Sequence, residues 1–247
     1  VQPVNAGISA RDRLILPLDT ASLEAARQLV DELRDWVGMF KVGLQLFCNE
    51  GPSLFETLHR DGVSVFFDGK FKDIPNTVAR ATEAVVARGL SMFNVHATGG
   101  SEMMRRAVAA CDDTCRRTGM PRPKVLAVTV LTSIGPAMLK EELGVAAPME
   151  EQVCRLAALA KGAGCDGVVA SGAEVAGLRK ALGPDFLLVT PGVRPHWAAA
   201  DDQSRIVTPG SAIKDGSDYL VIGRPILGAA DRREAAKRIV AEIEQAL

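Results

Sequence analysis

Short apolar runs alternate along this chain with longer stretches whose apolar positions recur every three or four residues. Residues 13–18, Arg-Leu-Ile-Leu-Pro-Leu, make an apolar run closed by Asp19. Ser22 then opens a pattern through Arg34 that places Leu23, Ala26, Leu29, Val30 and Leu33 on one helical face. A run too short for a helix, followed by an amphipathic stretch, is one strand-helix unit. The alternation continues with strand 36–42 and helix 52–60, a strand from 63 and helix 76–88, strand 91–96 and helix 101–117, then strand 124–131 and helix 149–163. Strand 167–170 with helix 174–182, strand 186–190 with a long polar loop, and strand 219–222 with helix 231–245 complete it. Residues 134–148 and the first ten carry no clear pattern of either kind.

Roughly eight such units with no composition break, linker or low-complexity segment predict an α/β fold, a closed parallel (β/α)8 barrel of the TIM type, with residues 1–247 as a single domain. An open doubly wound sheet fits less well, because no Gly-x-Gly-x-x-Gly turn follows the first strand.

Composition narrows the function more than the fold. A net charge of -1 gives a polyanion no bulk attraction, so nucleic acid is not an expected ligand. No apolar run approaches the length of a membrane span, and the first residues lack the basic and apolar regions of a signal peptide, so the expected compartment is the cytoplasm. The 5 cysteines are scattered and odd in number, which argues for reduced packing residues rather than a disulfide framework. No residues are spaced for zinc and nothing reads as a nicotinamide or flavin site, so no metal and no cofactor is expected.

The chemistry is concentrated in residues 63–77. A β-branched and aromatic strand runs into Asp68, Lys70 and Asp73, charged residues that a core excludes. Strand alternation puts Asp68 and Lys70 side by side on one face, with Asp73 where strand becomes loop and Pro75 suited to the first turn of the next helix. Flanked by carboxylates, which favour the charged form of a neighbouring base, the lysine reads as an ammonium acid; a Schiff-base lysine needs an apolar or cationic setting. A solvated ion-pair cluster is the bland alternative. Asp68 and Asp73 could also hold Mg²⁺, with Lys70 competing for the place of the ion.

Barrel active sites lie at the carboxyl ends of the strands, and polar residues fall there: Asp19, Lys41, Asp68 with Lys70, His96, Thr132, Ser171, Arg194 and Arg224. The loops after the last two strands carry Gly192 to Arg194 and Gly223-Arg224, where barrels bind phosphate through backbone amides and a guanidinium. Asp19 suits diol hydroxyls such as those of a ribose. The loop from Pro195 to Thr208, with His196, Trp197 and Gln203, is long enough to act as a lid.

Phe-Asp-Gly-Lys-Phe-Lys-Asp-Ile-Pro-Asn-Thr (67–77), Leu-Asp (18–19), Lys-Val-Gly (41–43), Val-Thr-Val-Leu-Thr-Ser (128–133), Val-Thr-Pro-Gly-Val-Arg-Pro (189–195), Asp-Gln-Ser-Arg (202–205) and Val-Ile-Gly-Arg-Pro (221–225) together resemble the orotidine 5′-phosphate decarboxylases of the bacterial, short-loop branch, in order over nearly the whole chain. The resemblance implies a homodimer converting orotidine 5′-monophosphate to uridine 5′-monophosphate and CO₂, the last step of de novo UMP synthesis, without metal or organic cofactor. It implies that Lys70 protonates C6 and that Lys41, Asp68 and Asp73 complete a charged tetrad. Asp73 and Thr77 would reach the partner subunit's site. Asp19 and Lys41 would contact the ribose and Thr132 the pyrimidine. Gln203 would bridge base and phosphate, with Arg194, Gly223 and Arg224 holding the phosphate. One departure stands out: Gly69 occupies a position where the family usually has an apolar residue, commonly leucine, and strand alternation points that position away from Asp68 and Lys70. Two other functions remain open on the residues, a Mg²⁺-dependent enzyme acting on a keto-sugar phosphate and a barrel that binds the nucleotide without turnover.

Overall fold

The computed structural model describes residues 7–198 and 207–247. Eight strands, β1 (Leu14–Pro17), β2 (Met39–Val42), β3 (Val65–Phe71), β4 (Met92–His96), β5 (Lys124–Val128), β6 (Gly167–Val169), β7 (Leu187–Pro191) and β8 (Tyr219–Val221), pair in parallel with their sequence neighbours, and β8 pairs with β1. The barrel predicted from the alternation is therefore the observed fold.

Side-chain alternation splits the core into two layers. Ile15, Met39, Phe66, Met92, Leu126 and Leu187 point inward and fill the barrel, so it is a packed core with a floor beneath its mouth. Their neighbours Leu14, Leu16, Phe40, Val65, Phe67 and Phe93 point outward and are covered by helices. The main covering helices are α1 (Leu23–Leu33), α3 (Ser53–Arg60), α4 (Pro75–Val86), α5 (Ser101–Thr118), α7 (Met149–Gly162), α8 (Val175–Leu182) and α11 (Arg232–Glu244). Their ends follow the capping chemistry of the sequence. Ser22 accepts the Ala25 amide at α1, Pro75 opens α4, and Gly119 ends α5 at φ 72°.

Four short helices fall outside the sequence expectation: α2 (Leu44–Glu50), α6 (Pro136–Glu141), α9 (Pro209–Lys214) and α10 (Arg224–Leu227). Each is at most two turns long and too short to display an amphipathic period; α2 buries only Leu46. Strand ends also shift. β2 begins at Met39 rather than 36 and β5 ends at Val128 rather than 131, whereas β3 runs on through its charged residues to Phe71. No described helix is long and apolar enough to cross a membrane.

At the amino-terminal end of the barrel, Asp166 accepts the Val125 amide at 2.7 Å and the Arg122 guanidinium at 2.8 and 2.9 Å, tying β5 to the start of β6. Asp166→Ala strands that amide and removes the anion, and is expected to lower the unfolding free energy by about 2 kcal/mol. Urea denaturation reads this directly; a loss below about 0.5 kcal/mol would mean that water satisfies the amide equally well.

Candidate active site

The site is built on an irregularity in β3. Phe67 pairs with Phe93 and Phe71 with Val95, so residues 68–70 stand opposite Asn94 alone. Lys70 takes up the surplus at φ 49°, the only non-glycine residue with positive φ among those described. The effect is to aim Asp68 and Lys70 together into the barrel mouth. Lys70 Nζ donates to Asp68 Oδ1 at 2.6 Å, and Lys41 Nζ, from the adjacent β2, lies 3.2 Å from Asp68 Oδ2. The carboxylate is clamped between two ammoniums, one on each oxygen. Its side chain is 14% exposed, that of Lys41 13% and that of Lys70 31%.

Burial would raise the Asp68 carboxyl, but the charges of Lys41 and Lys70 and the hydrogen bonds from Lys70 and Asn94 outweigh it and hold the group below the ordinary carboxylate range. Lys41 also reaches Asp19 at 3.9 Å across the end of β1, where the Asp19 side chain is 59% exposed and free to meet a ligand. Gly43 leaves room beside that pairing: a Cβ there would stand 3.2 Å from Lys41 Nζ and 3.7 Å from Asp19 Oδ1. His96, at the end of β4, is pushed below its ordinary value by burial and then by Lys72 and Lys70, against the opposing pull of Asp68.

Lys41, Asp68, Lys70, Thr132 and Pro191 line a cavity of about 160 Å³ whose floor includes Phe66. A second cavity, about 380 Å³, lies where the loops after β7 and β8 come together and is lined by Arg194, Arg224, Trp197 and Pro225. Gly192 at φ 77° makes the turn that leads to Arg194, whose amide donates to the Val207 carbonyl at 3.0 Å. Trp197 is held under the Arg238 guanidinium of α11 at 4.4 Å. A small, mostly apolar cavity with two carboxylate-facing ammoniums and a cavity with two guanidiniums at the loops after β7 and β8 suit a ligand that carries a reacting group at one end and a phosphate at the other.

Ser171 and Asp73 stand apart from the ion cluster of their own chain. Ser171 belongs to neither cavity; its hydroxyl caps the Ala173 amide at the start of a short turn. The Asp73 carboxylate accepts the Ile74 amide at 2.6 Å and pairs with neither Lys41 nor Lys70 of its own chain. Asp73 and Thr77 are exposed, and Ile74 between them is 67% exposed. Gln203 lies outside the described residues. Asn94 is the group that sequence reasoning missed, and a signal was there: an amide inside the apolar strand Met92–His96 must find partners. Among the described residues no three His, Cys, Asp or Glu side chains group closely enough to hold a metal ion.

A family model described as orotidine 5′-phosphate decarboxylase / HUMPS family matches residues 12–239. The chain belongs to this family. It is 51% identical over 234 residues to the orotidine 5′-phosphate decarboxylase of Geotalea daltonii, covering 95% of this chain and 97% of the relative. It is 48% identical over 235 residues to that of Moorella thermoacetica, covering 95% and 93%. The crystal structure of orotidine 5′-phosphate decarboxylase from Lactobacillus acidophilus superposes with a TM-score of 0.82 at 38% identity, covering 93% of this chain and 98% of that one.

Against the orotidine 5′-phosphate decarboxylase pattern, Gly69 has a physical explanation. A Cβ there would stand 2.6 Å from the tip of the Phe67 ring, which fills the space that a leucine at 69 would take. Phe67 packs at 4.8 Å from both Phe47 and Phe55 and at 5.6 Å from Phe71, so the ring cannot yield without disturbing three others. Gly69→Leu alone is expected to destabilise the protein by about 2 kcal/mol or more through overpacking. Combined with Phe67→Leu, it is expected to regain at least about 1 kcal/mol of that loss as coupling energy. Additive effects in a urea double-mutant cycle would show that the two positions do not share the space.

Proposed function

We propose that the protein decarboxylates orotidine 5′-monophosphate to uridine 5′-monophosphate and CO₂ in the cytoplasm, using only its own side chains. The observation that carries this reading is the Lys70–Asp68–Lys41 array in a small cavity beside the two-arginine cavity. The family and the named relatives supply the substrate. We read residues 1–247 as one catalytic domain.

Breaking the bond between C6 and its carboxylate leaves the electron pair in the ring plane on C6, where no adjacent carbonyl accepts it by resonance. The protein must therefore meet charge that cannot be delocalised. Lys70 ammonium beside C6 stabilises the developing pair and then transfers a proton to it, forming the C6–H bond of the product; CO₂ leaves neutral, and Lys70 regains its proton from solvent. Asp68, facing the substrate carboxylate, disfavours the bound ground state. Lys41 holds Asp68 charged and reaches Asp19, and these two meet the ribose hydroxyls. Thr132 meets the pyrimidine, Arg194, Gly223 and Arg224 hold the phosphate, and Gln203 bridges base and phosphate.

The active unit is a homodimer in which Asp73 and Thr77 of each chain complete the partner's site. What supports this is that both are exposed, that Asp73 engages neither lysine in its own chain, and that an apolar residue between them faces solvent.

The test is loss of the ultraviolet band of orotidine 5′-monophosphate with EDTA-treated protein, wild type beside Lys70→Ala. Turnover by the wild type and a fall of at least about 10⁴-fold in the variant are expected. Wild-type activity that vanishes in chelator and returns with Mg²⁺ would overturn the cofactor-free mechanism, and nucleotide binding without turnover would overturn the enzyme reading.

Because the phosphate is remote from C6, its binding energy acts on assembly of the site. Arg224→Ala is expected to lower kcat/KM by several powers of ten with Lys70 intact. A change below about tenfold, equivalent to roughly 1.4 kcal/mol, would rule out a catalytic use of the phosphate grip.

A further inference from the structure

Asn94 sits at the centre of β4 with 1% of its surface exposed, in a strand otherwise apolar up to His96. At the start of β3 the Ser64 carbonyl faces β2 and the Val65 carbonyl faces β4, so a regular parallel ladder would turn the Lys70 amide, like Ser64, away from β4. The surplus residues of β3 between the Phe67–Phe93 and Phe71–Val95 pairs change that direction, and the Lys70 amide meets the Asn94 side chain in place of a ladder carbonyl. The Lys70 amide donates to Asn94 Oδ1 at 2.7 Å, and Asn94 Nδ2 donates to Asp68 Oδ1 at 2.7 Å. The partners fix the orientation of the amide: a backbone N–H requires the oxygen and a carboxylate requires the NH₂ group. One side chain therefore holds both the backbone of Lys70, in its left-handed conformation, and the carboxylate to which Lys70 Nζ points.

We propose that Asn94 is a positioning residue for decarboxylation, setting the Lys70 backbone and the Asp68 carboxylate in register so that the ammonium is aimed at C6. The inference rests on the decarboxylase reading above and deepens it. The geometry demands a donor and an acceptor at this reach from β4. An alanine supplies neither. An aspartate keeps the acceptor for Lys70 and replaces the donor by a second negative charge against Asp68. A leucine buries an orphaned amide beneath the site.

The groups that face Asp68 are Lys41 from β2, Lys70 on its own strand, and Asn94 and His96 from β4, with Asp19 reached only through Lys41. Of these, Asn94 is the neutral donor that favours the carboxylate, so its removal lets the Asp68 carboxyl titrate at higher pH.

The experiment is steady-state kinetics of Asn94→Ala and Asn94→Asp with orotidine 5′-monophosphate between about pH 5 and 9, beside the wild type. Asn94→Ala is expected to lower kcat by at least about 30-fold while KM stays within about threefold, because the ribose and phosphate groups are untouched. The acid limb of its kcat profile is expected to move to higher pH. The isosteric Asn94→Asp is expected to lose least activity relative to wild type at acid pH, where the introduced carboxyl is protonated and donates to Asp68, and most above neutrality. A folded Asn94→Ala with kcat within about threefold of wild type, or with only KM raised, would overturn the proposal. If Asn94→Ala does not fold, a pH profile of Asn94→Asp parallel to that of the wild type overturns it equally. A wild type that does not turn over the nucleotide overturns the decarboxylase reading and this inference with it, an outcome distinct from an active wild type and an undiminished variant.

Discussion

A buried carboxylate held between two lysines is the constraint on which the rest of this site depends. Removing a charge from water costs several kcal/mol unless its partners are well placed, and an uncompensated anion at this depth would protonate or unfold its surroundings. Asp68 avoids both because every direction is answered: Lys70 and Asn94 on one oxygen, Lys41 on the other. The partners come from β2, β3 and β4, so the cluster exists only when three adjacent strands are in register. The packed interior beneath, Ile15, Met39, Phe66 and Met92, fixes that register, and the Phe47, Phe55, Phe67 and Phe71 cluster braces β3 from behind. Catalytic geometry and core packing are two faces of the same strand.

The irregularity in β3 shows what this arrangement asks of the backbone. A regular strand would alternate Asp68 and Lys70 onto one face, but with the Lys70 amide turned away from β4. The surplus residues bring that amide to the β4 side and turn Lys70 into the left-handed region, which a non-glycine residue occupies only when its surroundings insist. Here the surroundings are a single buried amide and a short ion pair. Gly69 belongs to the same solution, because the outward position between the two charged residues is already filled by the Phe67 ring.

How much of this was legible in the sequence follows from which signals are local. The eight strands could be read because each is a short apolar run bounded by polar residues, and the long helices from their apolar period, with Ser22 and Pro75 marking the starts of α1 and α4. The four short helices could not, since two turns do not establish a period. Asp19, Lys41, Asp68, Lys70, Thr132, Arg194 and Arg224 could be placed at one mouth from strand order alone; the structure sets Lys41, Asp68, Lys70 and Thr132 around one cavity, Arg194 and Arg224 around another, and Asp19 beside Lys41. Ser171 satisfied the same rule and serves only as a cap, because lying at a strand end is necessary for the site and not sufficient. The β3 surplus and the role of Asn94 depend on pairing between strands some 24 residues apart, which no pattern within either strand records.

Under the proposed mechanism, the ion cluster also bears on why decarboxylation, rather than some other reaction of a phosphorylated ligand, suits this mouth. An arriving carboxylate placed against Asp68 meets like charge in a poorly screened cavity, and that repulsion vanishes when CO₂ departs neutral. The attraction of Lys70 grows over the same interval, because the negative charge that was spread over two carboxylate oxygens becomes concentrated on one carbon beside the ammonium. Both changes favour the transition state over the bound substrate, and both require that Asp68 stay ionised and that Lys70 be unable to swing away. Lys41 meets the first requirement from β2, and Asn94 contributes to both from β4. The clamp on Asp68 is therefore more than a device for tolerating a buried charge: it keeps ground-state repulsion and transition-state attraction on opposite sides of the same bond.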